Sequence, residues 1–312
     1  MFKAASIFKI KFPGNKTTGL LADVIESGAE ICTFCPCGAI QETSVGWVPP
    51  RGHEHGPLVT VMGYNLIMRL AIETKSVPAQ ALRDAVEAKV KEIEDITGRK
   101  PGKKERRELT EDTKMSMLPM AFATRSNTWV WIDSESGLLV IDSASQARTD
   151  EVVSQLVRLI DGVVVQHLVT QTSPQSIMTS WLHDRDLLSS EDRFNFDIGR
   201  ACELKACDES KAVVRYSRHS LDTEEVKNHI LAGKMATKLA LTYNDRVSFT
   251  LTDGGTLTGI KFIGAVFENA AAGDGKADHF DANVVIMTGE LSNLIQDLID
   301  ALGGEVAEGG AV

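Results

Sequence analysis

No stretch of this chain approaches the ~18–20 consecutive apolar residues that a membrane-crossing helix requires, so membrane-spanning functions fall away first. The opening residues, Met1 to Ile10, alternate like a strand and lack the unbroken apolar block of a secretory signal. Five cysteines in 312 residues are too sparse for a disulfide scaffold. Without an export signal they are expected reduced, in a cytoplasmic protein. Positive charge is scarce: 33 Lys and Arg stand against 43 Asp and Glu, a net of −10. That deficit excludes a protein that clothes a polyanion with its whole surface, while allowing one basic wall on an anionic exterior. A phosphate-binding loop is missing too. Gly98 and Gly102 have three residues between them where the motif needs four, and no Ser or Thr follows Lys103. Gly233-Lys234 lacks the upstream glycine. Nucleotide hydrolysis has no scaffold.

Against that acidic background, Arg99-Lys100-Pro101-Gly102-Lys103-Lys104-Glu105-Arg106-Arg107 gathers six cations in nine residues. Concentrated charge makes a local field whose natural complement is a polyanion, most commonly nucleic acid. A solvated turn between helices is the plain alternative. The flanks bear on the choice. Leu82, Val86, Val90 and Ile93 recur at helical spacing between Ala79 and about Thr97, with Ser76 available as a cap and Pro78 tolerated in the first turn. Gly98 and Pro101-Gly102 break the pattern, and a second helix is expected from Lys103 to about Leu118. Two helices joined by so short a turn form a projecting finger with the cations at its tip, which core architecture does not explain.

The remainder reads as α+β with mixed or antiparallel sheets. Strands are expected at 5–12, 58–62, 66–73, 127–133, 138–142, 163–169 and 211–217, and helices at 20–27, 146–160 and 174–183. A further helix is opened by Asp222 or Thr223 and closed by Gly233. The stretch 187–209 has no clear period. Strands at 237–243, 246–251 and 256–262, turned by Asn244-Asp245 and Asp253-Gly254-Gly255, make a three-stranded meander. One of its faces is apolar, the other polar and partly cationic. Residues 269–277 are Ala- and Gly-rich, as in a loop, and 283–287 reads as a strand. In the terminal helix Leu291, Leu294, Ile295, Leu298, Ile299 and Leu302 form an apolar face ended by Gly303-Gly304. The last eight residues are expected to fray. Three regions follow: a central one (1–75 with 120–186), the finger (76–119), and a C-terminal one (187–312).

Sites for chemistry are weak. Cys32, Cys35 and Cys37, with Cys202, Cys207, His53 and His55, lack the two regular ligand pairs of a structural zinc site, so packing thiols are expected and no metal. Asp133, Glu135, Asp142, Asp253 and Asp281 could serve a magnesium-dependent nuclease, but most sit in turns, where Asp is favoured for backbone reasons. No catalytic residue is assigned and no cofactor is expected. Phe122, just beyond the finger, fits the core, base stacking, or a partner's pocket; the last is favoured, together with neighbouring Met120.

Several motifs in order carry a resemblance: Gly46-Trp47-Val48-Pro49-Pro50, Leu118-Pro119 with Ala121-Phe122, Trp131-Ile132-Asp133, and Asn228-His229-Ile230 followed by Ala232-Gly233-Lys234 and Thr237-Lys238-Leu239-Ala240-Leu241. Asp253-Gly254-Gly255, Lys261-Phe262, Phe280-Asp281-Ala282 and Met287-Thr288-Gly289-Glu290-Leu291 continue the set. Over nearly its whole length the chain resembles the recombination-associated RdgC family. The resemblance implies the protomer of a ring-shaped homodimer that encircles double-stranded DNA, with single-stranded DNA as a further partner. It also implies a nucleoid-associated protein that binds without sequence preference and limits filaments of the recombinase RecA. It implies no enzyme activity. Two departures stand out: Met120 occupies a position that is basic in the family, and Cys35 one that is commonly Thr. Expected DNA contacts are Arg99, Lys100, Lys103, Lys104, Arg106 and Arg107 on the finger. A second group is Lys211, Arg215, Arg218, Lys227, Lys234 and Lys238. The rival functions are a regulator that contacts the recombinase directly and the metal-dependent nuclease.

Overall fold

A strand that carries apolar residues on both sides has to be covered from both sides. The first strand, β1 (Ala4–Lys11), is of this kind: Ala5 and Ile7 point one way, Phe8 and Ile10 the other. In the computed structural model, which describes residues 2–14, 17–189, 195–266 and 276–306, β1 lies inside a 12-stranded sheet. The other strands of the first half are β2 (Thr43–Val48), β3 (Thr60–Met62), β4 (Asn65–Lys75), β5 (Ala123–Asp133), β6 (Leu138–Ile141) and β7 (Val164–His167). The second half adds β8 (Phe196–Ala206), β9 (Val213–Ser217), β10 (Lys234–Tyr243), β11 (Val247–Thr252) and β12 (Leu257–Phe262). Their order is β2-β4-β5-β6-β1-β12-β11-β10-β8-β9, with β3 beside β4 and β7 beside β1. Every pairing between these strands is antiparallel.

Among the described residues eight α-helices accompany the sheet: α1 (Thr18–Ile31), α2 (Ala79–Thr97), α3 (Lys103–Met117), α4 (Gln146–Leu159), α5 (Pro174–His183), α6 (Asp186–Ser189), α7 (Glu224–Leu231) and α8 (Lys276–Ala301). Leu21 and Ile25 of α1 and Val152 and Leu156 of α4 cover one face, against Phe8, Met68, Val130 and Ile132. Met178 and Trp181 of α5 and Leu291, Leu294 and Ile295 of α8 cover the other, against Ile7, Trp131 and Val140. That second core runs on under Leu239, Leu241, Phe249 and Leu251, so the expected meander is present and its apolar side is inside. Among the described residues its opposite side has no helical cover in either core, and it carries Lys238, Thr242, Ser248 and Thr250. The Asn244-Asp245 turn takes left-handed dihedrals at both positions (φ 50° and 53°), the backbone that a twisted two-residue hairpin requires.

Four expectations need correction. Residues 283–287 are helical: α8 begins at Lys276, and Val284, Met287, Thr288 and Leu291 are buried at three- and four-residue steps, so tertiary burial overrides the β-branched composition. The helix α2 starts after Pro78, not Ser76, and has no side-chain cap. Strands β2 and β8 arise where none was expected. Glu305 and Val306, placed in the frayed tail, pair with Thr170 and Val169. The rest of that tail and residues 269–275 of the Ala/Gly-rich stretch lie outside the described residues. Because Leu291 is fully buried on α8, Leu291→Ala is expected to cost about 2–5 kcal/mol, read as a lower denaturant midpoint.

Candidate nucleic-acid interface

The finger is an insertion between adjacent strands. The strand β4 ends at Lys75, β5 begins at Ala123, and these two residues pair, so α2 and α3 leave and return at one point on the sheet. Val86 and Val90 of α2 and Thr113 of α3 are buried. At the tip Gly98 ends α2 with a left-handed backbone (φ 68°) that a side chain would strain. The Glu105 carboxylate accepts from the Gly102 amide at 3.3 Å, satisfying one free donor at the start of α3.

The tip cations are exposed, but they are not bare. Arg99 pairs with Glu105 at 2.9 Å, Lys100 with Glu94 at 3.8 Å, Lys104 with Glu108 at 3.9 Å and Arg107 with Glu111 at 3.2 Å. Arg106 meets Glu87 across the two helices. Among the described residues Lys103 has no carboxylate partner. The Arg99 hydrogen bond holds the Glu105 carboxyl below the ordinary carboxylate range. Exposed pairs of this kind are worth roughly 0–1 kcal/mol each, so the carboxylates are replaceable counterions that keep the guanidinium groups oriented. Sequence reasoning found the cations and missed their partners. The i, i+4 spacing of Lys104–Glu108 and Arg107–Glu111 was the available signal.

The second group divides. Arg215 on β9 and Lys238 on β10 converge on Glu203 of β8, at 2.6 and 3.7 Å. Hydrogen bonds from Arg215 and from Thr237 (2.8 Å) hold that carboxyl below its usual range. Lys211 and Arg218 sit beyond the two ends of β9 with left-handed backbones (φ 47° and 55°). Lys227 lies 3.9 Å from both Asp222 and Glu224, and the Lys234 ammonium lies 2.9 Å from His229 Nδ1. Among the described residues no hydrogen bond or ion pair joins this group to the finger.

At the finger base Phe122 is 92 % exposed and Met120 80 % exposed, after a one-turn 3-10 helix at Leu118–Met120. Beside them Arg125 donates to Glu73 at 2.9 and 3.1 Å and lies over the Phe34 ring at 4.2 Å. The Cys37 amide, first, and then Arg125 keep the Glu73 carboxyl below its ordinary range. That group is lost to protonation only at a pH below the usual carboxylate titration.

The other chemistry-bearing residues are dispersed. Asp133 accepts from the amides of Glu135 and Ser136, at 3.0 and 3.3 Å, and from the Ser136 hydroxyl, closing its own turn. Asp142 accepts from the amides of Lys3 and Ala4, Asp281 pairs with Arg51, and the Asp253 amide donates to the Thr237 carbonyl. Among the described residues no three His, Cys, Asp or Glu side chains gather as a metal site would need. Residues 32–34 run beside β2, and Cys37 Sγ donates to the Glu73 carbonyl at 3.4 Å. Burial pushes the Cys202 thiol up to about 11. Alkylation of the native protein is therefore expected to label exposed Cys35 and Cys207 and to spare Cys202 until denaturant is added, as mass spectrometry would read.

No helix among the described residues is long and apolar enough to cross a membrane. A family model described as "RdgC: Putative exonuclease, RdgC" matches residues 1–305. The recombination-associated protein RdgC of Herminiimonas arsenicoxydans is 36% identical over 308 residues, covering 98% of this chain and 99% of that protein. Its counterpart from Janthinobacterium sp. (strain Marseille) is 36% identical over 306 residues, 98% of each chain. That of Cupriavidus pinatubonensis is 38% identical over 285 residues, 91% of this chain and 93% of the relative. The relatives' names state an association with recombination and no enzyme, whereas the family description carries an exonuclease label. With near full-length matches at this identity, the chain belongs to the RdgC family of recombination-associated proteins.

Proposed function

We propose that the chain binds double-stranded DNA without sequence preference, encircles it as a homodimeric ring, and so limits the action of RecA filaments. The observation that carries this is the finger: an acidic protein holds its densest cationic cluster at the end of a helical insertion. Replaceable carboxylate partners suit an exchange in which phosphates displace them and condensed counterions leave the DNA. A ring closed by one two-fold axis needs two self-complementary contacts. The exposed Phe122 and Met120 supply an apolar patch for one. For the other, the terminal helix is not available, because its apolar face lies inside the protomer. The strand β9 ends the sheet, and its outer edge can pair with a second copy of itself. In a ring of this kind the protein is nucleoid-associated and needs no catalytic group.

The test is duplex binding across a salt series with fragments of unrelated sequence. Affinities are expected to agree between fragments and log K to fall linearly with log[salt], with a slope of several. Binding that ignores salt would remove the phosphate-contact model. The exonuclease label gives a second reading, and it has its own arm. End-labelled duplex incubated with protein and magnesium is expected to stay intact, and shortening abolished by replacing a carboxylate would reverse the non-enzyme assignment.

A further inference from the structure

Two rows of side chains share one face of the β4–β5 ribbon, whose end carries the finger. Starting at the finger and moving down one face, the paired positions are Lys75 with Ala123, Glu73 with Arg125, Ala71 with Asn127, and Arg69 with Trp129. The Arg69 guanidinium lies over the Trp129 ring, 5.3 Å from its centroid. Trp129 in turn meets Phe280 of α8 at 6.1 Å, and Arg51 lies over the Phe280 ring at 5.6 Å. The four groups form a ladder with a cation at each end.

The two ends differ in one respect. Arg51 is neutralised by Asp281 at 2.8 Å. Arg69 is half-buried and has no carboxylate within ion-pair reach among the described residues, and its Nε is buried without a hydrogen-bond partner. Burial lowers its pKa from the ordinary guanidinium value, with no neighbouring charge to offset the effect. A guanidinium still carries its charge at neutral pH, so a positive group is held partly out of water with only a ring for company. Such a group is completed by an anion. The planar fork, pinned on an aromatic face, is pre-organised for the two oxygens of a phosphate. Asn127, exposed one step nearer the finger, can donate its amide to the same ligand.

We propose that Arg69, seated on Trp129 and flanked by Asn127, is a phosphate-binding site that takes a backbone phosphodiester of the DNA held by the finger. This rests on the DNA-binding function proposed above. The site lies six residues along β4 from the strand end where the finger emerges, about 20 Å at the usual strand rise. Arg69 and the base of the finger then lie along one strand of the ribbon. Trp129 acts as the platform that fixes the fork and makes no claim on the bases.

The experiment is duplex binding by fluorescence anisotropy across a salt series, with the full chain. Arg69→Met keeps an unbranched side chain over Trp129 and removes the charge. It is expected to weaken binding about tenfold and to reduce the slope of log K against log[salt] by about one for each Arg69 engaged. Arg69→Lys is expected to keep the slope while losing part of the affinity, because the charge remains without the fork. Should Arg69→Met fail to fold, the exposed Asn127→Lys supplies the reverse change, a tighter complex and a slope steeper by about one. An unchanged slope in Arg69→Met, or in Asn127→Lys, while the wild-type protein binds duplex normally, overturns this site alone. Absence of wild-type binding at every salt overturns the DNA function itself, and this site with it.

Discussion

The triple reversal Lys103→Glu, Arg106→Glu, Arg107→Glu is expected to lower duplex affinity by at least ~100-fold at low salt and to flatten the salt slope by two to three. Each lost phosphate contact removes a released counterion, and each new carboxylate adds repulsion from a polyanion. The three positions are exposed, so the helix itself has little to lose. Arg106 and Arg107 give up pairs worth roughly 0–1 kcal/mol each, and a thermal melt followed by circular dichroism is expected to move little. The opposite change has the opposite sign. Replacing the competing carboxylates (Glu87→Gln with Glu111→Gln) frees Arg106 and Arg107 and is expected to strengthen binding several-fold. If the triple reversal leaves affinity and slope alone, the finger does not touch DNA.

The finger was legible because every determinant of it is local. Leu82, Val86, Val90 and Ile93 set the period of α2, Gly98 ends it with a left-handed residue, and Pro101-Gly102 separates it from α3. The meander was legible for the same reason, since its alternation and its turns lie within one short stretch. What escaped depends on distant chain. In β2, Gly46 weakens the strand signal, and the reason for it is tertiary: a Cβ there would stand 2.4 Å from the Phe34 Cα. In β8, Gly199 packs against Ala240 of β10, and the register shifts along β10 break the alternation that Cys202 and Leu204 would otherwise announce. The run Val284-Val285-Ile286 looks like a strand until the burial of Val284, Met287 and Leu291 reveals a helical face. The candidate interface obeys the same logic. Its cations could be named from sequence, but the Arg106–Glu87 contact, and Arg69 on Trp129, join residues that only the fold brings together.

Phe122→Asp is expected to shift the proposed homodimer toward monomer by about 100-fold or more in dissociation constant, seen by sedimentation velocity over a concentration series. A phenyl ring that is 92 % exposed in the protomer gains little there from being aromatic. Buried across a two-fold axis, with Met120 close in sequence, each ring would act as a hot spot worth about 2–4 kcal/mol, and its replacement by a carboxylate would bury an unpaired charge twice. Met120 strengthens the case, because an apolar residue stands where relatives are expected to carry a basic one, making this face drier. The consequence for DNA separates a ring from an open clamp. A closed ring is retained on circular duplex when salt is raised, yet slides from the ends of the same molecule once linearised. Loss of the Phe122 contact opens one side, so the variant is expected to leave circular and linear DNA at the same salt. Unchanged sedimentation of Phe122→Asp would take the ring off the list of interface residues, and a monomeric wild-type protein that leaves both forms of DNA alike would show that nothing encloses the duplex.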